Sequence, residues 1–201
     1  MKQFLGLAAI KIRHFKGHLS SRPRNDLFYK QQRLLEIGSR YHCTTLVETG
    51  TYLGDTVNVA RRYFDRVLSV ELSEDLYNRN LKRFERYRNV FLWQGNSGKQ
   101  MPDMLPLIVG ARALFWLDAH YSGVGTAKDE KDCPIISELE AIAKHPRQDH
   151  CILIDDARCF GHEEGYPSIK RVREKLLAIN PEYYVHIDND CIMALPPHAL
   201  E

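Results

Sequence analysis

Leu46-Val47-Glu48-Thr49-Gly50-Thr51-Tyr52-Leu53-Gly54-Asp55-Thr56 is the stretch on which the fold of this chain turns. An apolar run ends in a carboxylate, two glycines follow with three residues between them, and a helical pattern begins at Asp55. Strand, tight turn and helix start, in that order, place a ligand at the carboxyl end of a parallel strand. The spacing is not that of a dinucleotide site, where G-x-G-x-x-G leaves one residue between its first glycines and a pyrophosphate rests on the helix N-terminus. Here the turn is wider. Glu48 precedes it, placed to accept hydrogen bonds from a bound ammonium group. An ordinary strand-to-helix turn that uses Gly50 and Gly54 for positive φ is the plainer account.

The next strand, Arg66-Val67-Leu68-Ser69-Val70-Glu71, also ends in an acid. Glu71 falls about 20 residues beyond the first glycine, the offset at which a nucleotide fold sets an acid on the ribose hydroxyls. It could equally tie down the helix that Ser73, Glu74 and Asp75 announce. Glu48-Thr49-Gly50-Thr51-Tyr52-Leu53-Gly54 with Glu71 resembles the first two motifs of the class I S-adenosylmethionine (SAM)-dependent methyltransferases. That resemblance implies cofactor contacts from Glu48, Thr49, Gly50, Thr51, Tyr52, Gly54, Thr56 and Glu71, and it spans roughly 41–196. SAM offers an α-amine, a sulfonium and a ribose but no phosphate, which agrees with acids and no G-x-G-x-x-G.

Strand and helix patterns alternate along the chain, the signature of parallel βαβ units. Strands are expected near 44–49, 66–72, 90–95, 113–118 and 150–155, and helices near 55–64, 74–88, 97–109, 134–144 and 167–179. Phe115-Trp116-Leu117 and Cys151-Ile152-Leu153-Ile154 are continuous apolar runs, as in strands covered on both faces. Tyr183 to Ile187 and Cys191 to Leu195 flank Asp188-Asn189-Asp190 and read as a hairpin. The resemblance implies a Rossmann-like, doubly wound α/β fold: a mostly parallel seven-stranded sheet closed by that antiparallel hairpin. Residues 1–40 are expected to form an N-terminal helical extension and 41–201 the SAM-binding domain.

Three further strand ends carry chemistry. Gln94-Gly95-Asn96-Ser97 closes the third, where the resemblance implies that Asn96 and Ser97 border the adenine; either residue could instead cap the next helix. The fourth ends in Asp118-Ala119-His120 and the fifth in Asp155-Asp156-Ala157-Arg158. Asp118, Asp155 and Asp156 would crowd one rim beside the cofactor pocket, and carboxylates forced together repel. A hard divalent cation such as Mg²⁺ relieves that crowding, although strand-end aspartates also bond loop amides. Adjacent strand residues point oppositely, so Asp155 and Asp156 can share an ion only where the strand turns.

The pattern is similar to the metal-dependent O-methyltransferases, which implies Asp118, Asp155 and Asp156 as metal ligands. Asp118 and His120 are the expected catalytic residues, His120 as general base because imidazole titrates near neutrality. The polar insertion 121–133 has no apolar period and reads as a lid or a surface loop.

Composition bounds the rest. The chain has 201 residues, 44% hydrophobic and 27% charged, which suits one globular domain. A net charge of +2 speaks against a dedicated nucleic-acid surface; the resemblance implies a small-molecule acceptor, with homo-oligomers open. Cys43, Cys133, Cys151, Cys159 and Cys191 form no C-x-x-C pair, as expected of a reduced, cytoplasmic protein. No run of about 18 apolar residues would span a membrane. The short apolar start, Met1 to Ile10, is followed by Lys11, Arg13, His14 and Lys16 rather than a cleavage site, and reads as a basic amphipathic helix. The expected function is O-methylation of a small hydroxylated acceptor from SAM with a divalent cation. A metal-independent methyltransferase of the same fold and a non-catalytic SAM-binding module are the alternatives.

Overall fold

The computed structural model describes residues 27–118 and 133–197. Helix α1 (Leu27–Arg40) leads into β1 (Cys43–Thr49), α2 (Asp55–Ala60), β2 (Arg66–Glu71), α3 (Glu74–Phe84) and β3 (Val90–Gln94). Then come α4 (Ser97–Met104), β4 (Arg112–Leu117), α5 (Ile135–Ile142), β5 (Cys151–Ile154), α6 (Ile169–Ile179), β6 (Tyr184–Asp188) and β7 (Cys191–Leu195). The strands form one seven-stranded sheet in the order β3-β2-β1-β4-β5-β7-β6. Pairings from β3 through β5 are parallel, and β7 runs antiparallel between β5 and β6. The sheet and its closing hairpin are those expected from the sequence.

The unbroken apolar runs of β4 and β5 are buried throughout because helices cover both faces. On one face, Leu46, Val67, Leu114 and Leu153 pack with α1, α2 and α3 through Leu34, Ile37, Val57, Ala60 and Phe84. On the other, Val47, Leu68, Phe115 and Ile152 pack with α4, α5 and α6 through Met101, Leu139, Ile142, Val172 and Leu176. The strand residues of the two sets are sequence neighbours, as a period of two requires. Helix α1, the described part of the expected 1–40 extension, is thus laid on the sheet.

Three helices stop short of their expected ends for identifiable reasons. Helix α4 ends at Met104 and passes into a single 3₁₀ turn, Leu105–Leu107, because Pro106 has no N–H to continue the ladder. Helix α3 stops at Phe84, and beyond it Asn89 is tied across the sheet by donating to the Arg61 and Phe64 carbonyls. Helix α2 ends at Ala60 in tightened turns, with Arg62 N on Val59 O and Tyr63 N on Ala60 O. Asn189 (φ 47°) and Asp190 (φ 68°) both lie in the left-handed region, as a type I′ hairpin turn demands.

The chain proceeds from β1 outward to β2 and β3, then crosses back to β4 and β5 on the other side. That reversal opens a crevice beyond the carboxyl ends of β1 and β4, where open α/β sheets take their ligands.

Candidate functional site at the carboxyl rim of the sheet

Gly50 (φ +88°) and Gly54 (φ +79°) bracket the turn after β1, with Tyr52 (φ +48°) between them. A Cβ on Gly50 would stand 3.2 Å from Asp118 O, so glycine is what lets the turn lie against the end of β4. Gly50 N and Thr51 N donate to Val70 O at 2.9 and 3.2 Å, and Asn80 Nδ2 holds Tyr52 O at 2.6 Å. Glu71, at the end of β2, accepts from Tyr52 N at 2.7 Å and from Ser73 N at 2.9 Å. It therefore ties the glycine turn to the start of α3, and its remaining lone pairs face the same rim.

Glu48 is buried under the turn, accepting from Ser69 Oγ at 2.7 Å, and Ser69 is in turn 2.7 Å from Thr51 Oγ1. Burial pushes its carboxyl up to about 8, against the pull of Ser69 and Thr56 and with Asp118 and Glu71 adding repulsion.

Glu138, on α5, has no counterpart in the sequence reading. It is wholly buried and faces Thr49, Ser97 and Asp118; neither carboxyl oxygen makes a hydrogen bond within 3.5 Å, though the Ser97 and Thr49 hydroxyls stand close enough to favour its charged form. Burial pushes this carboxyl up to about 7, opposed by Ser97 and Thr49 and reinforced by Asp118. Its signal was available: Glu138 falls on the same stripe as Ile135, Leu139 and Ile142, the buried face of α5.

On the far side of Asp118 the structure brings together the three aspartates expected from the sequence. Strand β5 ends at Ile154, and Asp156 takes a left-handed conformation (φ 55°), which swings consecutive carboxylates to one side. Oxygens of Asp118, Asp155 and Asp156 lie within 4.8 Å of one another. Protein cations already attend this centre. Lys30, from α1, donates to Asp155. Arg158 donates to Asp156 Oδ1 at 2.7 Å and also to Asp190, in the hairpin turn. Burial raises the Asp155 carboxyl above the usual range, and Asp118 and Asp156 add to this while Lys30 opposes it. Burial disfavours the Lys30 charge, but Asp155, with Asp118 and Asp156 behind it, outweighs that and raises its pKa.

Asn96 is the N-cap of α4, accepting from Lys99 N at 3.2 Å, so the capping alternative is realised; it also lines a groove of about 630 Å³ with Ser137, Tyr166 and Arg171. His120 and nearly all of the 121–133 insertion lie outside the described residues, as does the basic segment 1–26.

No protein-family model and no curated protein matches the sequence. Solved structures do match the fold. An O-methyltransferase from Bacillus cereus in complex with SAH superposes with a TM-score of 0.58 at 16% identity, covering 88% of this chain and 85% of that one. TomG from Streptomyces achromogenes, an O-methyltransferase solved with SAM, gives 0.58 at 14% identity, covering 85% and 80%. The N-methyltransferase NodS from Bradyrhizobium japonicum gives 0.52 at 13% identity, covering 85% and 96%. At such identities the likeness is one of architecture: this chain shares the seven-stranded, Rossmann-like α/β fold of these structures.

Proposed function

We propose that the chain is a SAM-dependent methyltransferase that methylates an oxygen of a small hydroxylated acceptor. The carrying observation is the meeting of the Gly50 turn with Asp118 at the switch between β1 and β4, where the buried carboxyls of Glu48 and Glu138 flank the rim. A cationic ligand rich in donors fits that rim. Glu48, Thr49, Gly50, Thr51, Tyr52, Gly54 and Thr56 would hold its amino-acid end, Glu71 its ribose hydroxyls, and Asn96 and Ser97 its adenine, with Asp118 closing the pocket. SAM, when bound, supplies an electrophilic methyl group on a sulfonium. The protein's part is to align the acceptor oxygen with it and to take the acceptor's proton.

Asp118, Asp155 and Asp156 offer the all-oxygen donor set that Mg²⁺ prefers, so the residues fit a divalent ion that would lower the acceptor's hydroxyl pKa. One observation favours the metal-independent alternative: Lys30 already supplies a positive charge to Asp155. The five cysteines are free and buried, which fits a cytoplasmic protein, and no helix among the described residues is long and apolar enough to cross a membrane.

Calorimetric titration with SAM, in Mg²⁺ and in EDTA, tests the reading. Binding should be saturable, and Gly50→Val and Glu71→Ala should each abolish or sharply weaken it. Parent-like binding in both variants would misplace the pocket. For turnover, His120→Gln removes a titrating base while keeping a polar side chain. The rate should fall roughly 10²–10⁴-fold with little change in SAM affinity. An unchanged rate removes His120 as the base, and tight SAM binding without turnover on a panel of hydroxylated molecules marks a binding module.

A further inference from the structure

We propose that the Lys30 ammonium is the resident cation of the Asp118–Asp155–Asp156 centre, and that a divalent ion binds there only by displacing it. The inference rests on the reading above that these carboxylates form the cation centre of the rim. Lys30 comes from α1, 125 residues before Asp155 in the chain, yet it reaches the centre and donates to Asp155 Oδ2. Its Nζ lies 5.9 Å from the centroid of the Trp116 ring, so the ammonium is held between an indole face and the carboxylates. Asp118 and Asp156 act on the same charge from further off.

Two occupants cannot share this place. A divalent ion draws carboxylate oxygens to about 2.0–2.6 Å, and the Asp155 carboxylate it needs is the one that Lys30 already engages. A second cation beside the ammonium, in a setting where Asp155 is 3% exposed, is repelled far more than in water. Lys30 can still yield. Its side chain is 21% exposed and carries its charge on a flexible four-carbon stem, so the ammonium has a path to solvent. Arg158 does not take over the role, because its guanidinium is divided between Asp156 and Asp190. The consequence is a centre that tolerates the absence of metal and takes Mg²⁺ weakly.

Terbium luminescence tests this on the full chain, since Trp116 stands beside the centre as a sensitiser, and Mg²⁺ is then titrated against the bound Tb³⁺. Lys30→Gln should bind Tb³⁺ and Mg²⁺ roughly tenfold or more tightly than the parent, whereas Lys30→Arg, which keeps the charge, should stay weak. Adding Asp155→Asn to Lys30→Gln should abolish the gain. Far-UV circular dichroism confirms folding of each variant, and Lys30→Met serves if Lys30→Gln is unfolded. Equal affinity in parent and Lys30→Gln overturns the proposal, as does a folded Lys30→Gln that binds neither ion. SAM titrations of the same preparations separate the two readings. Loss of SAM binding in the parent sinks the methyltransferase assignment, while the cation competition stands or falls on the terbium curves.

Discussion

Gly54→Ala is expected to lower the free energy of unfolding by roughly 3–5 kcal/mol, and Gly110→Ala by only about 1. Both glycines have nearly the same backbone, φ +79° and +80°, so both alanines suffer the same left-handed strain. Their surroundings differ. A Cβ on Gly54 would sit 2.3 Å from Asn80 Oδ1 and 2.7 Å from Phe84 Cε2, whereas one on Gly110 meets nothing within 4 Å. Asn80 cannot easily step aside, because its amide nitrogen also holds Tyr52 O at 2.6 Å and Leu76 O at 3.0 Å. The clash falls on the contact between the glycine turn and α3. Since small domains are stable by about 5–15 kcal/mol, the Gly54 variant should be close to unfolding at room temperature. Urea midpoints of the two variants decide the matter, and equal losses would show that backbone strain alone accounts for Gly54.

Between pH 6.5 and 8 the protein should lose on the order of 2 kcal/mol of stability, most of it through Glu48. Burial pushes the Glu48 carboxyl up to about 8 and that of Glu138 up to about 7, from an ordinary 4.5. The folded state therefore holds protons that the unfolded chain has released. Their contribution is complete below about 4.5 and is lost as pH rises through 7 and 8. His150 acts in the opposite sense. Burial, with His145 and nearby arginines, lowers it to about 3, so its contribution is lost as pH falls below 6.5. Its Nδ1 accepts from Ala113 N at 3.0 Å, a bond that only the neutral ring can make. Above pH 6.5 that opposing slope fades over about one unit, and the two glutamates outweigh it. Glu48→Gln keeps an acceptor for Ser69 but cannot ionise, so denaturation midpoints of this variant should fall much less across the window, the remaining slope being that of Glu138. Parallel slopes for Glu48→Gln and parent would place the titration elsewhere.

The sheet was readable in the sequence because parallel strands buried on both faces announce themselves as unbroken apolar runs, as in Phe115-Trp116-Leu117. The carboxylate ends of those runs gave Glu48, Glu71, Asp118, Asp155 and Asp156, since a strand's last residue is where a fold of this kind meets its ligand. Lys30 was not readable. Its partner is 125 residues away, and nothing local in Phe28-Tyr29-Lys30 distinguishes it from a solvated lysine. Glu138 lies between these extremes. Its helical spacing placed it on a buried face, but a charged residue on an apolar stripe becomes meaningful only when its lack of partners is known. Asn96 illustrates the reverse: capping geometry and cofactor contact call for the same residue type, so the sequence could not choose between them.

The hairpin turn has a consequence for the order in which the chain is made. Asp190 receives Arg158 and, through its carbonyl, Ala157 N at 2.8 Å, while Asp188 receives Arg33 from α1. Residues from the beginning of the described chain and from just after β5 are thus fastened by its last two strands. A nascent chain can pair β1 through β5 in sequence and lay α1 on β1 and β4, while the Arg33 contact waits until β6 and β7 have been synthesised. The hairpin clasp is therefore the last part of the rim to close, when Asp188 reaches Arg33 and Asp190 joins Asp156 on Arg158.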